Sequence, residues 1–470
     1  MKLISISGSS GVGKTTISTL CKYLLDDVIC LCGDDLHRWE RGDKNWNEYT
    51  HLNPFANNLD KGRKDILDLY SGKPIKRNHY NHDTGQFVED ILTKPKSIII
   101  NEGLHALHDP VVNKLSDLNI FVDTDYDLKS QWKMNRDIQK RGYTKEQVVK
   151  SLQKRKGDEL KYIEPQKQNA DVVIRFEEKR DGEVHLEYEM ITNRNQEFIH
   201  HIKKLYDQHR DFLSVCKKLS FEYDLVQDAG GNVSYKFRNK MIITSSGRKM
   251  SDVTMLNGYT VCDIQEEFPR TIANEEDYTS QILSLKSDEE QERPSMETGL
   301  HVQLSDKVVI HTHPIHLNTI LCSKESRDII PQLLVKYDYD YNTYLTPGKI
   351  LNNNLQSTKG NKIILLENHG LVCVSKNMMD AFNTTVTINN ICKQWLIDNS
   401  QTFKTFVETN MEEDGFLFPD AVVLTNKTRQ INDYILQLQK EVGLTPRFLD
   451  REEVNLLKSM ESEKYRTNLQ

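Results

Sequence analysis

Short apolar runs alternate with amphipathic stretches along the chain up to about residue 190. The runs have the length of buried strands, and they predict strands at Lys2–Ser7, Val28–Cys32, Ser97–Asn101, Asn119–Asp123 and Asp171–Phe176, with a closing strand at Val184–Ile191. Helical spacing between them predicts helices at Asp125–Gln139 and Lys145–Arg155. Alternating strands and helices indicate an α/β fold with a parallel sheet.

The pattern changes near residue 195, after two polar, loop-like stretches at 177–182 and 192–195. Apolar residues then recur at helical spacing and predict a long amphipathic helix: Phe198, Ile202, Leu205, Phe212, Cys216 and Leu219. Further strands are predicted at Met241–Thr244, Val308–His311 and Ile363–Leu366, and the chain becomes helical and charged after about residue 428. We therefore predict domains at 1–194 and 195–428, and a helical appendage at 429–470.

Composition narrows the class of protein. A chain of 470 residues is too long for one core, and a net charge of −7 argues against a general nucleic-acid-binding surface. No apolar run reaches the roughly 18–20 residues that cross a bilayer, and the start lacks a signal-peptide pattern. The eight cysteines form no CxxC pair. We expect a cytoplasmic protein with reduced cysteines and no nucleic-acid or membrane partner.

A complete GxxxxGK[ST] motif follows the first predicted strand, at Gly8–Thr15. In such a loop, backbone N–H groups surround phosphate oxygens and the next helix directs its N-terminus at them. Lys14 would reach the β and γ phosphates and the Thr15 hydroxyl would bind Mg²⁺. The predicted ATP and Mg²⁺ site consists of Gly8, Ser9, Ser10, Gly11, Val12, Gly13, Lys14, Thr15 and Thr16.

Acidic and basic residues follow the second predicted strand, in the segment 33–41. Ligands bind at this carboxyl edge in open α/β sheets, where a carboxylate can accept the proton of an attacking hydroxyl. His37 and Arg38 can hold a phosphorylated acceptor there. The phosphate loop alone does not distinguish a kinase from an ATPase or a GTPase. The segment 33–41, considered alone, also fits a solvated charged loop.

Three segments carry a family resemblance. GDDLHRWER at 33–41, NEGLH at 101–105 and WKMNRDIQKRG at 132–142 resemble the phosphoribulokinase patterns GDxFHRxxR, EGLHG and WKxxRDxxxRG. The resemblance covers residues 1–190 and implies a P-loop NTPase-type, three-layer α/β/α kinase domain, with Asp34 as catalytic base and Glu102 on the magnesium side. The predicted sugar-phosphate contacts are His37, Arg38, Arg41, Lys133, Arg136, Asp137 and Arg141. The segment 78–85 leans toward uridine kinases, so a pentulose phosphate, another sugar phosphate or a nucleoside stays open as acceptor.

Two histidines end a predicted strand of the second half, in Val308–Pro314. His311 and His313 are two residues apart, so both imidazoles point to the same side of a strand. His369 follows another apolar run, and Glu297 lies upstream. Three neutral imidazoles with an exchangeable fourth position make a catalytic zinc site, although each histidine singly also fits an ordinary structural role.

The order of PSxE, HTHP and NHG, with GNVS at 231–234, ITSSG at 243–247 and FPDAVV at 418–423, resembles the class II aldolase/adducin family over residues 198–428. The resemblance implies an α/β/α domain with a mostly antiparallel central sheet. It implies Zn²⁺ bound by His311, His313 and His369, with Glu297 as the exchanging acid/base. It implies a phosphate pocket of Asn232, Ser246, Gly247 and Ser295. Met296 departs from the serine that often stands there, and Tyr344 is the candidate for the catalytic tyrosine.

Together the two resemblances imply a bifunctional sugar-metabolising enzyme. The first domain would phosphorylate a sugar or sugar phosphate, with a ketose favoured, and the second would catalyse zinc-dependent aldol cleavage or condensation of a phosphorylated sugar. Two alternatives stay open for the second domain: a zinc-dependent epimerase or dehydratase, and a non-catalytic adducin-like oligomerisation module. The expected partners are small sugars or sugar phosphates and further copies of the chain in a homo-oligomer, with a tetramer through the second domain as one form.

Overall fold

The computed structural model of the chain describes residues 1–180, 182–264, 268–269, 271–357, 360, 362–401, 403, 415–424 and 426–469. The side chains of Asn47, Lys140, Arg141 and Asn426 lie outside this description. The chain forms two units, Met1–Gln208 and His209–Gln470. In the described ranges, no helix has the length and apolar character needed to cross a membrane.

The strands lie in three sheets. They are β1 (Leu3–Ser7), β2 (Val28–Cys32), β3 (Ile75–Asn81), β4 (Gln86–Thr93), β5 (Ile98–Glu102), β6 (Leu118–Thr124), β7 (Val172–Glu178), β8 (Val184–Met190), β9 (Asn232–Phe237), β10 (Lys240–Thr244), β11 (Tyr259–Asp263), β12 (Val308–Thr312), β13 (Tyr339–Asn342), β14 (Ile363–Leu366) and β15 (Gly370–Ser375).

The α-helices connect and cover these sheets. They are α1 (Lys14–Leu24), α2 (Lys44–Glu48), α3 (Leu59–Tyr70), α4 (Pro110–Leu115), α5 (Tyr126–Arg141), α6 (Lys145–Asp158), α7 (Gln196–Phe221), α8 (Glu275–Ser284), α9 (Thr298–Gln303), α10 (Ile315–Leu321), α11 (Ser326–Leu333), α12 (Lys349–Asn354), α13 (Met378–Asn399), α14 (Pro419–Val423), α15 (Asn426–Glu441), α16 (Arg451–Ser459) and α17 (Glu461–Asn468).

The first unit is built on a sheet of order β2-β5-β1-β6-β7-β8, parallel except for the antiparallel edge strand β8. Alternate residues of a strand face opposite sides of the sheet. On one side Leu3 and Ile99 pack with Ile66 of α3, and on the other, where Ile4 is fully buried, α1 packs against β1 and β5. The central strand β1 therefore delivers the phosphate loop to the middle of the carboxyl edge.

The second unit is built on a sheet of order β11-β10-β9-β12-β15-β14-β13. All neighbours pair antiparallel except β13 and β14, which are parallel. Leu365 and Leu371 pack with α10, α11 and α13 on one face. Ile364 and Val372 pack with α9 and α12 on the other. This arrangement confirms the predicted α/β/α fold class for both halves, with a mostly antiparallel sheet in the second.

The boundary between the units falls inside α7, which begins at the predicted boundary near residue 195. Residues 429–470 are part of the second unit. Ile431 and Ile435 of α15 pack with Ile315 in one hydrophobic cluster, and Leu457 of α16 packs with Met296 in another. The segment predicted as an appendage is thus packed into the domain and reaches the residue next to Glu297.

Candidate active sites

The phosphate loop leaves β1 at the centre of the first sheet. A Cβ at Gly8, whose φ is 146°, would lie 2.3 Å from the backbone oxygen of Val122, so only glycine allows this close passage. Lys14 Nζ donates a hydrogen bond to the backbone oxygen of Ser9 at 2.8 Å, and burial lowers the pKa of Lys14. The rest of the predicted ATP-binding set lies in this loop and the start of α1: Ser10, Gly11, Val12, Gly13, Thr15 and Thr16.

Glu102 ends β5 beside the first turn of α1. Its Oε1 accepts a hydrogen bond from Thr15 Oγ1 at 3.0 Å, and its Oε2 accepts one from Ser18 Oγ at 2.6 Å. Hydroxyl and carboxylate oxygens are the ligands that Mg²⁺ prefers. Thr15 and Glu102 therefore fit the magnesium side of a bound nucleotide, as their motifs predict.

Asp34 lies in a short 3-10 turn after β2, at the same edge as the phosphate loop. Its Oδ2 is 3.1 Å from His82 Nε2, and its Oδ1 is 3.7 Å from His37 Nε2. Burial alone would raise the pKa of this carboxyl, but the hydrogen bond from His82 and the charges of His37, His82 and Lys14 hold it well below its usual range. An ionised carboxylate in this position can accept a proton from a hydroxyl group.

His37 belongs to a buried aromatic group. Its Nδ1 contacts Asn57 Oδ1 at 3.0 Å, and its ring stacks on His51 with a centroid distance of 3.8 Å. Burial lowers the pKa of His37, and it lowers that of His51 to about 2. Arg155 of α6 acts electrostatically on both imidazoles and on Lys133. Arg155 is a cationic residue of this region that the sequence motifs did not single out.

The two arginines of the 33–41 segment take different positions. Arg41 donates hydrogen bonds to the backbone oxygens of His82 at 2.6 Å and Asp83 at 3.4 Å, so it holds the loop that places His82 beside Asp34. Arg38 places its guanidinium over the ring of Phe55, 5.4 Å from the centroid. Contact with an acceptor phosphate remains a prediction for both side chains.

Helix α5 presents its basic residues beside the phosphate loop. A Cβ at Gly11 would lie 3.3 Å from Lys133 Cβ, which shows how closely α5 approaches. Asp137 contacts Lys133 Nζ at 2.5 Å and Arg136 Nε at 3.0 Å. Burial, followed by the charge of Arg155, lowers the pKa of Lys133 to about 8. The predicted contact from Arg141 lies outside the described side chains.

The three histidines of the second unit meet at the ends of two paired strands. His311 and His313 come from the end of β12, and His369 comes from the turn between β14 and β15, where β15 pairs with β12. Their candidate ligand nitrogens all lie within 4.8 Å of one another, and all three residues are buried. Among the described residues, these three histidines form a group of possible metal ligands that lie close together. They are the three predicted zinc ligands.

Contacts at Nδ1 orient two of these imidazoles. His311 Nδ1 hydrogen-bonds the backbone oxygen of Leu371 at 3.0 Å, and His313 Nδ1 lies 2.7 Å from Asp420 Oδ2. The Nε2 atoms of these two histidines are thereby turned toward each other, 2.9 Å apart. A partner on Nδ1 that fixes the ring and presents Nε2 is the usual support of a metal-binding histidine, so the residues fit a zinc ion.

Glu297 faces the same nitrogens. Its Oε2 lies 3.4 Å from His311 Nε2, and its Oε1 lies 3.4 Å from His369 Nε2. Asn232 Nδ2 donates to Oε2 at 2.7 Å. Burial raises the pKa of this carboxyl, but the histidines and Asn232 together lower it to about 2. Glu297 is therefore an ionised group that can serve as a fourth ligand or as a base.

A small cavity of about 30 Å³ opens beside two of the histidines, His313 and His369. Its lining includes the predicted phosphate-pocket residues, together with Met296 and residues near the carboxy terminus. Among the lining residues are Asn232, Ser246, Gly247, Ser295, Met296, Glu297, His313, His369, Asp420, Glu463 and Arg466. The four predicted phosphate-pocket residues thus share one cavity with His313 and His369, two of the three predicted metal ligands.

Tyr344, the candidate proton donor, donates its hydroxyl to Glu453 Oε1 at 2.7 Å. Burial, followed by this hydrogen bond, raises the pKa of its hydroxyl. The tyrosine therefore fastens α16 to the domain, and its catalytic role remains a prediction.

Four residues of the two sites were missed by sequence motifs: His82, Arg155, Asp420 and Arg466. Asp420 stands inside the FPDAVV segment, where the motif gave it no role, and His82 stands in the segment 78–85. Arg466 belongs to a charged terminal helix with no local signal, and it contacts a residue 237 positions away.

Comparisons with known proteins give a family match for each half of the chain. Residues 3–181 match the phosphoribulokinase / uridine kinase family. A uridine kinase of Staphylococcus epidermidis is 33% identical over 178 residues, which are 37% of this chain and 86% of that protein. The amino-terminal unit belongs to the phosphoribulokinase / uridine kinase family. The phosphoribulokinase of Synechocystis is 40% identical over 176 residues, 37% of this chain and 52% of that enzyme, so the chain spans about half of its length.

Residues 210–396 match the class II aldolase and adducin N-terminal domain. The N-terminal class II aldolase domain of a Thermoplasma acidophilum protein shares 21% identity and a TM-score of 0.37, covering 40% of this chain and 92% of that one. Both predicted resemblances are confirmed. The chain is a kinase-family domain fused to a class II aldolase-like domain.

Proposed function

We propose that the chain is a bifunctional enzyme that phosphorylates a sugar or sugar phosphate, with a ketose favoured, and performs a zinc-dependent aldol reaction on a phosphorylated sugar. The observation that carries the proposal is the pair of sites: an ionised Asp34 beside a complete phosphate loop, and three converging histidines faced by Glu297. Family membership of the first unit supports ATP and Mg²⁺ as its ligands.

In the kinase reaction, the acceptor hydroxyl gives its proton to the Asp34 carboxylate while its oxygen bonds to the γ-phosphorus. The bond from that phosphorus to the bridging oxygen breaks, and ADP leaves. Lys14 and the loop N–H groups stabilise the charge on the transferred group. Lys133 and Arg136, held by Asp137, place positive charge at the same loop, where it favours an anionic acceptor.

In the second unit, His311, His313 and His369 would hold the zinc ion, which when bound acts as a Lewis acid on a carbonyl oxygen. Ser246, Ser295 and the Gly247 backbone would bind the phosphate group of the substrate. Glu297, ionised and 3.4 Å from two of the ligating nitrogens, would accept and return the proton. The surrounding cavity is lined by buried residues, which limits access of water.

The test is a screen of ATP consumption by purified protein across sugars and sugar phosphates, with Mg²⁺ and Zn²⁺ present and products identified by mass. We expect ADP formation with at least one ketose or ketose phosphate, followed by release of dihydroxyacetone phosphate and an aldehyde. ADP formation without carbon–carbon cleavage contradicts the aldolase half and leaves the kinase half standing. Product NMR then identifies an epimerase, because epimerisation conserves the carbon skeleton.

Variants assign each reaction to its unit. Asp34→Asn is expected to slow ADP formation by about 100- to 10,000-fold, and His311→Ala to lose the bound zinc measured by elemental analysis. The exposed His200 provides a matched control, since His200→Ala should retain zinc. Retention of zinc by His311→Ala would contradict the proposed metal site and would favour the adducin-like module.

A further inference from the structure

Helix α17 brings a buried arginine to the wall of the second unit's cavity. Arg466 is only 9% exposed. Its guanidinium lies 3.0 Å from Asp420 Oδ1, 2.9 Å from Glu463 Oε2 and 3.9 Å from Met296 Sδ. Arg466 and Met296 line the same cavity. The positive charge of Arg466 therefore lies beside Met296, next to Ser295 of the predicted phosphate pocket.

Groups suited to an anion surround this charge. Ser246 Oγ is buried and has no hydrogen-bond partner, and Ser295 Oγ accepts a hydrogen bond from the Glu297 N–H at 3.3 Å, which leaves its own hydrogen to donate. A Cβ at Gly247 would lie 3.5 Å from Arg466 Cα. Since an unpaired buried hydroxyl costs free energy, Ser246 points to a polar ligand in this cavity.

Two buried carboxyl groups share the single charge of Arg466, and burial raises the pKa of one of them, Glu463. One guanidinium faces two buried carboxylates, Asp420 and Glu463. Asp420 has a second partner, because its Oδ2 lies 2.7 Å from His313 Nδ1. Glu463 has one oxygen on Arg466, while its other oxygen, Oε1, is buried without a hydrogen-bond partner. Glu463 is therefore the less satisfied of the two carboxylates and the one that an external anion can replace.

We propose that Arg466 is the cationic group of an anion-binding subsite formed with Ser246 and Ser295, and that Glu463 competes with a phosphate monoester for its guanidinium. The identity of the anion as a sugar phosphate rests on the proposed function. The subsite itself stands on the contacts of Arg466, Glu463 and Ser246. A carboxy-terminal helix would thus complete a pocket whose other residues come from the central sheet and its loops.

The test measures binding of inorganic phosphate to the full-length chain by calorimetry. Every protein carries Lys14→Ala, so that the phosphate loop of the kinase unit contributes little. Arg466→Gln is expected to weaken phosphate binding roughly tenfold or more, since a charged hydrogen bond is lost. Glu463→Gln is expected to strengthen binding, because the competing charge is removed. Lys464→Gln, an exposed charge change on the same helix, should leave the affinity unchanged.

Two results would overturn the proposal. One is wild-type phosphate affinity in a folded Arg466→Gln protein, and the other is unchanged or weaker binding in Glu463→Gln. If Arg466→Gln fails to fold, the gain of affinity in Glu463→Gln still decides, since structural damage does not tighten binding. Inorganic phosphate binding requires no turnover, so a negative aldol assay with an Arg466-dependent phosphate site would contradict the proposed function alone.

Discussion

Replacing Asp420 by asparagine tests the metal site through a residue outside the ligand set. Asp420 Oδ2 lies 2.7 Å from His313 Nδ1, and its Oδ1 lies 3.0 Å from Arg466. Asparagine keeps the size of the side chain and an oxygen close enough to accept from a protonated His313 Nδ1. It removes a negative charge that would make the His313 imidazole a stronger ligand of the proposed zinc ion.

The expected loss can be estimated from these contacts. Removing a second partner of a metal-binding histidine costs about 10- to 100-fold in metal affinity, or about 1.4–2.7 kcal/mol. Asp420→Asn should fall near the lower limit, because the acceptor remains, and Asp420→Ala near the upper one. Arg466 keeps its 2.9 Å contact with Glu463, so the cost in folding should stay below the roughly 3–5 kcal/mol of a buried charge left unpaired.

Zinc affinity can be measured by competition with a chromophoric chelator near neutral pH, with thermal unfolding of each variant as a check on folding. Asp263→Asn is a matched control, since Asp263 is 39% exposed and pairs with Lys240 at 2.8 Å. Wild-type zinc affinity in a folded Asp420→Ala protein would refute the reasoning. An equal loss in Asp263→Asn would show a general charge effect instead.

Three further predictions concern the kinase base, the basic helix and the carboxy-terminal packing. Asp34→Asn should lower kcat of phosphoryl transfer by about 100- to 10,000-fold in steady-state kinetics, with little change in KM for ATP. Asp83→Asn, at an exposed position, is the control. A similar loss in this control would contradict a base at position 34. Burial lowers the pKa of Lys133 to about 8, so its charge is full well below pH 8, half lost at pH 8 and absent well above it. KM for a phosphorylated acceptor should therefore rise above pH 8, and Lys133→Arg should flatten the rise because arginine stays charged; identical profiles for both proteins would argue against Lys133 as the titrating group. Leu457 is fully buried against Met296, so Leu457→Ala should lower the free energy of unfolding by about 2–5 kcal/mol in denaturant titrations. Leu456→Ala is the control and should have a smaller effect, because Leu456 is 39% exposed. Equal effects would mean that α16 does not pack as described.

Sequence patterns predicted strands where a short apolar run is continuous. Ile363–Leu366, buried throughout, and Val28–Cys32, a mostly half-buried edge strand, both have the predicted bounds. The hairpin of β3 and β4 was missed, since β3 is rich in polar residues and β4 is mostly exposed, with Leu92 59% exposed. No apolar periodicity marks such a hairpin, whose residues face solvent.

The site residues that were predicted and those that were missed differ in how local their sequence signals are. Lys14, Asp34 and the three histidines lie in compact motifs at strand ends, so local spacing was enough to predict them. Arg466 contacts Asp420 and Ala229, which are 46 and 237 positions away. Such contacts depend on how α14 and α17 pack, and no local pattern encodes that packing.

The environment of Asp34 also bears on how the proton moves in the kinase reaction. The hydrogen bond from His82 and the charges of His37, His82 and Lys14 overcome the effect of burial and hold the pKa of the Asp34 carboxyl well below its usual range, so Asp34 is ionised at neutral pH. The pKa of a sugar hydroxyl is far above that of any carboxyl group, so a carboxylate cannot remove its proton before phosphoryl transfer begins. In a loose transition state the attacking oxygen forms its bond late and becomes acidic only then. We infer that Asp34 first orients the hydroxyl by accepting its hydrogen bond, and that it takes the proton as the new bond to phosphorus forms.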